Sequence, residues 1–234
     1  MPSTKSHTER DTRVIDGKQV VISEKETGWI EAFSDGVFAV AITLLVVNLS
    51  VPHAPSGTAF TAATLASKLR DQWPSYVAFV TSFATVLIMW INHHGLFKMI
   101  NKADTRFLFA NGFLLLLVTL VPFPTALVAE YLTNPQAAKT AMAVYAGLFV
   151  LISLAYLCLW VAASHQRRLI KPSVSDAAVR AITRRNFLGF PIYLLATIVA
   201  FVQPLISIGI CVASWIFWST TSLLDESFQK PQEA

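Results

Sequence analysis

The sequence predicts an all-α, polytopic membrane protein with six transmembrane helices in each subunit. The first observation is composition: of 234 residues, 54% are hydrophobic and 14% charged, and the mean hydropathy is +0.55. The second is that apolar stretches of about 20 residues, enough to cross a bilayer as a helix, recur along the chain. The third is that the basic residues between these stretches fall mostly on one side of the membrane.

The two ends of the chain are polar. Residues 1–28 carry balanced acidic and basic charges and lack the apolar run of a secretory signal, so we interpret them as a cytoplasmic polar tail. The six-helix membrane domain is expected at 29–224. A short cytoplasmic C-terminal tail is expected at 225–234.

Hydropathy divides the membrane domain into spans. Four candidates are clear: 30–50, 74–97, 107–129 and 140–163. The remaining apolar block, 187–222, is too long for one crossing and is interrupted at Gln203-Pro204, which predicts two short spans joined by a tight turn. Within the outer loop 51–73, residues 58–72 have a helix-compatible composition. Tryptophans near the predicted span ends are interpreted as interfacial anchors: Trp29, Trp73, Trp160, Trp215 and Trp218.

Charge predicts the orientation of the spans. With the N-terminus inside, all but three of the 18 basic residues lie on the inner side, the exceptions being Lys68, Arg70 and Lys139. This asymmetry favours cytoplasmic termini and an even number of spans. The net charge of +4 therefore follows from membrane topology, and no nucleic-acid partner is expected.

Ionisable residues are rare within the spans, and three of them are predicted to lie at one depth. Asp35 near the start of span one and His93 and His94 near the end of span two both lie on the inner side. They could form a polar cluster with Ser34 and Asn92 that orients span one, or a histidine could respond to pH.

Two other interpretations of these residues stay open. Asp35 could cap the start of the first helix, where free N–H groups favour a carboxylate. Asp35 with His93 or His94 could also serve a proton-coupled or proton-permeable secondary transporter. Such a relay normally continues through ionisable groups at mid-membrane, and the spans carry none.

The first span, 33-FSDGVFAVAITLLVV-47, has one face of particular composition. Helical spacing places Val40, Thr43, Leu44 and Val47 together, at i, i+3, i+4 and i+7. Such a stripe packs between helices or lines a pore, and periodicity alone does not decide which. In a pore, apolar rings would form a dewetting constriction and Thr43 would offer oxygens to a partly dehydrated cation. No nucleophile–base pair or metal-ligand set is apparent, so neither an enzyme nor a cofactor is expected.

The stretch 33–47, followed by 90-WINHHGLF-97, resembles the bacterial branch of the transmembrane protein 175 potassium channels, over about residues 29–224. The resemblance implies a homotetramer in the bacterial plasma (inner) membrane, with a central pore lined by the first helices. It implies a potassium-selective leak conductance without a glycine-rich carbonyl filter. It also implies that Val40 forms the main hydrophobic constriction and Thr43 a threonine layer with transient K⁺ nearby, while Leu44 and Val47 face the pore.

The same resemblance assigns a role to Phe33, Ser34 and Asp35. They would hold the inner end of the first helix, through contacts with the second span at Trp90, His93 or His94. Two departures from the family pattern stand out: Trp29 replaces a basic residue, which affects an intracellular contact and gating, and Val40 replaces a larger isoleucine or leucine. We therefore expect the narrowest ring of the pore to be slightly wider than in the family pattern, or to lie at Leu44 or Val47 instead of Val40.

Overall fold

A computed structural model describes the backbone of residues 12–15, 18–21 and 220–227 and the complete chain at 27–53 and 61–219. The membrane domain in this part of the chain is helical. Its α-helices are α1 Gly28–Leu44, α2 Ala62–Asp71, α3 Trp73–Lys98, α4 Thr105–Thr119, α5 Pro122–Tyr131, α6 Ala138–Ser164, α7 Asp176–Ala200 and α8 Pro204–Ser227. The predicted all-α class is confirmed for this domain.

The N-terminal segment, predicted to be a polar tail, contains a β-hairpin. Strand β1, Thr12–Ile15, pairs antiparallel with β2, Lys18–Val21. Both strands carry β-branched residues, which favour extended backbone. The hairpin lies outside the predicted membrane domain.

Four helical segments of the described chain are long and apolar enough to cross a membrane. They are Gly28–Asn48, Trp73–Lys98, Thr105–Tyr131 and Ala138–Arg167, which agree with the four clear predicted spans. The last predicted pair corresponds to α7 and α8. The first turns of α7 are charged, and α8 has a shorter apolar part, Pro204–Ser219. Six crossings in each subunit therefore stay a prediction.

Prolines and a cap determine where several helices begin. The span predicted at 107–129 consists of two helices, because Pro122 lacks an N–H and its ring opposes the carbonyl four residues earlier. Pro204 is the first residue of α8, at the predicted break. Helix α7 starts at Asp176, where the Ser175 hydroxyl accepts from the Ala178 N–H at 3.1 Å. The predicted inner segment 164–185 is therefore partly helical.

Two of the tryptophans donate hydrogen bonds to neighbouring helices. Trp160 is fully buried, and its indole N–H donates to the Thr183 hydroxyl at 2.7 Å. The indole N–H of Trp215 donates to the Thr85 hydroxyl at 3.0 Å. The predicted interfacial role is wrong for Trp160, because its ring is enclosed by protein; for Trp215, which is half-buried, it stays a prediction.

Candidate functional site

Helix α1 has one covered face and one uncovered face. On the covered face, Ser34, Phe38, Ala41 and Leu45 are at most 1% exposed. The opposite side is exposed, and five of its residues are called here the uncovered face: Phe33, Val40, Thr43, Leu44 and Val47. On it Val40 is 55% exposed, Leu44 47% and Val47 74%. The stripe predicted from helical spacing therefore lies on the side of α1 that its own chain does not cover, together with other exposed residues such as Val46.

The outer end of α1 changes its helical geometry. After Leu44 the chain continues as a 3₁₀ turn, Leu45–Asn48. Since a 3₁₀ helix has three residues per turn, Val47 lies in line with Leu44, whereas an α-helix would offset the two by about 60°. The Asn48 side-chain amide donates to the carbonyl of Pro122 at 3.2 Å, which ties this turn to α5.

The Thr43 hydroxyl oxygen on the uncovered face can act only as an acceptor toward other partners. Its hydroxyl donates to the Val40 carbonyl at 2.9 Å. A hydroxyl has a single hydrogen, so the Thr43 Oγ1 has only lone pairs left for other partners. In this rotamer the oxygen can coordinate a cation and cannot donate to an anion.

The covered face is held by a chain of side-chain hydrogen bonds. The Ser34 hydroxyl donates to the Ile30 carbonyl at 2.8 Å, so Ser34 Oγ accepts from the Asn111 side-chain amide at 3.0 Å. Asn111 Oδ1 then faces His93 Nε2 at 2.9 Å, and the histidine nitrogen must be the donor. These bonds join α1, α4 and α3.

Two carboxylates of α1 contact α3 separately. Asp35 Oδ1 accepts from the indole N–H of Trp90 at 2.8 Å. The Glu31 carboxylate lies 2.7 Å from His94 Nδ1. Because α1 begins at Gly28, Asp35 is two turns inside the helix, and the interpretation of Asp35 as a helix cap is wrong.

The predicted polar cluster is only partly formed. Ser34 and His93 meet through Asn111, and His93 lies between the rings of Phe38 and Phe97, with ring centroids 5.2 and 4.6 Å away. A direct hydrogen bond between Asp35 and either histidine does not form among the described side chains.

One residue of the predicted cluster lies elsewhere and one member was missed. The Asn92 side chain donates to the Ile88 carbonyl of its own helix at 2.9 Å and lines a different region. Asn111 was missed, although an amide within the apolar run 107-FLFANGFLLLL-117 is a signal for a buried polar contact. Phe33 was predicted to contact the second span together with Ser34 and Asp35, but its side chain is 62% exposed on the uncovered face.

These features define a polytopic helical membrane protein whose first helix is held by buried polar bonds on one side and uncovered on the other. A family profile described as endosomal/lysosomal potassium channel TMEM175 matches residues 29–122. A protein from Chamaesiphon minutus named a potassium channel is 45% identical over 85% of this chain and 96% of its own length. The chain therefore belongs to the TMEM175 family of ion channels, so it is a channel and not an enzyme, as predicted.

Two further comparisons extend this assignment. The crystal structure of a lysosomal potassium-selective channel TMEM175 homolog from Chamaesiphon minutus superposes with a TM-score of 0.74 at 45% identity, covering 84% of this chain and 97% of that one. A human relative, named an endosomal/lysosomal proton channel, is 30% identical over 62% of this chain but only 30% of its own length.

Proposed function

We propose that this protein is a potassium-selective leak channel, assembled as a homotetramer in a bacterial plasma membrane with both termini in the cytoplasm. The observation that carries the proposal is the division of α1 into two faces. Its polar anchors bind α3 and α4, while its uncovered face offers aliphatic side chains and one hydroxyl oxygen. Such a face suits a pore axis shared with other copies.

Permeation would use the uncovered face without a fixed charge. Rings of Val40, Leu44 and Val47 narrow the path with apolar surface, which disfavours a continuous water column. The Thr43 ring supplies one acceptor oxygen from each subunit, which replaces part of the hydration shell of a K⁺ ion. Because Val40 is small, the narrowest ring is expected to be wider than in relatives, or to lie at Leu44 or Val47.

The inner end of α1 would be fixed without the basic residue that the family usually carries. Trp29 stands in that place and is 52% exposed. The contacts of Glu31 with His94 and of Asp35 with Trp90 hold the same end of the helix against α3. We infer that these contacts replace the missing basic contact.

Flux from liposomes tests the proposal. The purified full chain in liposomes with an outward potassium gradient is expected to release K⁺. Thr43→Val, which keeps the side-chain shape but removes the oxygen, should lower the K⁺/Na⁺ permeability ratio, whereas Thr43→Ser should preserve it. Thr119→Val is the matched control, because Thr119 is also exposed and its hydroxyl also donates three residues back, to the Leu116 carbonyl at 2.7 Å.

Two results would contradict the proposal. One is the absence of potassium flux from liposomes that contain folded protein. The other is a permeability ratio that Thr43→Val and substitutions of Val40 leave unchanged.

Proton permeation is a second candidate, favoured by the name of the human relative. A pH-sensitive dye inside the same liposomes would measure it. If Asp35 and the histidines carried protons, Asp35→Asn would abolish proton flux and leave assembly intact. If Asp35 holds α1 through Trp90, the same substitution weakens assembly while the surviving channels keep their selectivity.

A further inference from the structure

A partly open cavity of about 40 Å³ lies between α3, α6, α7 and α8 of one subunit. It is separate from the uncovered face of α1. Asn92 and Trp90 are two residues apart on α3, so their side chains point about 160° apart, one to the cavity and one to Asp35.

Three polar side chains that line this cavity lack a hydrogen-bond partner at one atom within the described part of the chain. These atoms are Asn92 Oδ1, Ser153 Oγ and Asn186 Nδ2. Ser153 is 6% exposed and Asn186 5%. Buried polar groups are almost always hydrogen-bonded, so three such atoms around one space indicate a bound partner.

The other polar groups of the cavity wall already have partners. The Tyr156 hydroxyl donates to the Met89 carbonyl at 2.7 Å, and the Trp215 indole donates to Thr85. The Tyr193 hydroxyl lies 3.2 Å from Ser214 Oγ. The polar atoms of the wall that lack a hydrogen-bond partner are thus one acceptor, one amide donor and one hydroxyl.

These three atoms determine which chemical groups can occupy the cavity. A group that both donates and accepts is required, and the lining residues, all of them described, include no charged side chain. A neutral hydroxyl meets both conditions. A buried water needs about 10–15 Å³ by the same measure, so the space admits about three.

Gly189 lies behind two side chains of the cavity wall, Ser153 and Trp218. A Cβ atom at this position would lie 2.5 Å from Ser153 Oγ and 2.8 Å from Trp218 Cζ2. Only glycine lets the Ser153 hydroxyl and the Trp218 ring lie where they do, against α7.

We propose that this cavity is a binding site for neutral hydroxyl groups within each subunit, distinct from the ion path. Its occupants are ordered water molecules, and a small alcohol presents the same chemistry. Asn92, Ser153 and Asn186 hold the occupant by hydrogen bonds.

X-ray hydroxyl-radical footprinting of the full chain in nanodiscs tests this proposal, since bound water beside a buried aromatic ring raises its labelling. Tyr193 and Tyr145 form a matched pair: they are 5% and 1% exposed, and each hydroxyl lies near a serine hydroxyl. Only Tyr193 lines the cavity. Labelling of Tyr193 is expected to exceed that of Tyr145 several-fold, and equal labelling would overturn the proposal.

Two further arms identify the occupant. Ser153→Val and Asn186→Leu should lower Tyr193 labelling to the level of Tyr145; unchanged labelling in folded variants would show entry of bulk water and overturn the proposal. Titration with 1-propanol distinguishes an alcohol from water as the occupant. If 1-propanol lowers the labelling of Tyr193 alone, the site accepts an alcohol. If it leaves the labelling unchanged, the site holds water. If a variant fails to fold, the wild-type comparison of the two tyrosines decides alone.

Discussion

Asn111 is the residue on which the buried attachment of α1 depends most directly. Its amide accepts from His93 and donates to Ser34, at 2.9 and 3.0 Å, and so joins three helices. Asn111→Ala removes both bonds and leaves the N–H of His93, which is fully buried, without its acceptor. We expect the variant to be less stable than the wild-type chain and α1 to be less firmly held.

The magnitude follows from the number of bonds. Hydrogen bonds between membrane helices average about 0.6 kcal/mol, with a maximum of about 1.7 kcal/mol. Two bonds therefore contribute about 1–3 kcal/mol, to which the cavity left by the side chain adds. A double-mutant cycle of Asn111→Ala with Ser34→Ala cancels the cavity contribution and isolates one bond, with an expected coupling of about 0.6–1.7 kcal/mol.

The assay is denaturant unfolding of the full chain in micelles, followed by far-UV circular dichroism for the wild type, both single variants and the double variant. Asn111→Ala with Thr119→Ala is the control pair, because the Thr119 hydroxyl donates only within its own helix. That pair should be additive. Additivity of the Ser34 pair to within about 0.3 kcal/mol would refute the proposed bond chain.

Two other predictions concern packing and conduction. Gly189→Ala should destabilise the chain by about 1–3 kcal/mol, because the new methyl group would clash with Ser153 and Trp218. Gly147→Ala is the control and should not destabilise it, since its Cβ would meet only Thr197, at 4.0 Å. Equal shifts of the melting temperature in the two variants would contradict this. Val40→Asn should wet the apolar constriction, so bilayer recordings should show a higher conductance and a lower K⁺/Na⁺ permeability ratio; an unchanged conductance would place the constriction elsewhere.

The positions of the helices were predictable where they depend on the hydropathy and residue types of a single segment. Four spans and the break before Pro204 appear in the sequence because span length and proline chemistry are local properties. Trp160 was misplaced because an indole near a span end can find its partner in the bundle as readily as at the interface. Only the fold brings Thr183 beside it.

The candidate site shows the same division. The uncovered face of α1 follows from helical periodicity, since residues three and four apart share one side. Asn92 was assigned to the wrong cluster because it is adjacent to His93 in sequence, yet successive helical side chains point about 100° apart. The contribution of Asn111 depends on how α4 lies against α1 and α3, which no local pattern specifies.

The structure of the assembled channel in a lipid nanodisc with K⁺ tests the central claim most directly. We predict four subunits around one axis, with Val40, Thr43, Leu44 and Val47 of each α1 facing that axis. An axis lined by another helix, or an uncovered face of α1 turned toward lipid, would contradict the proposed ion path.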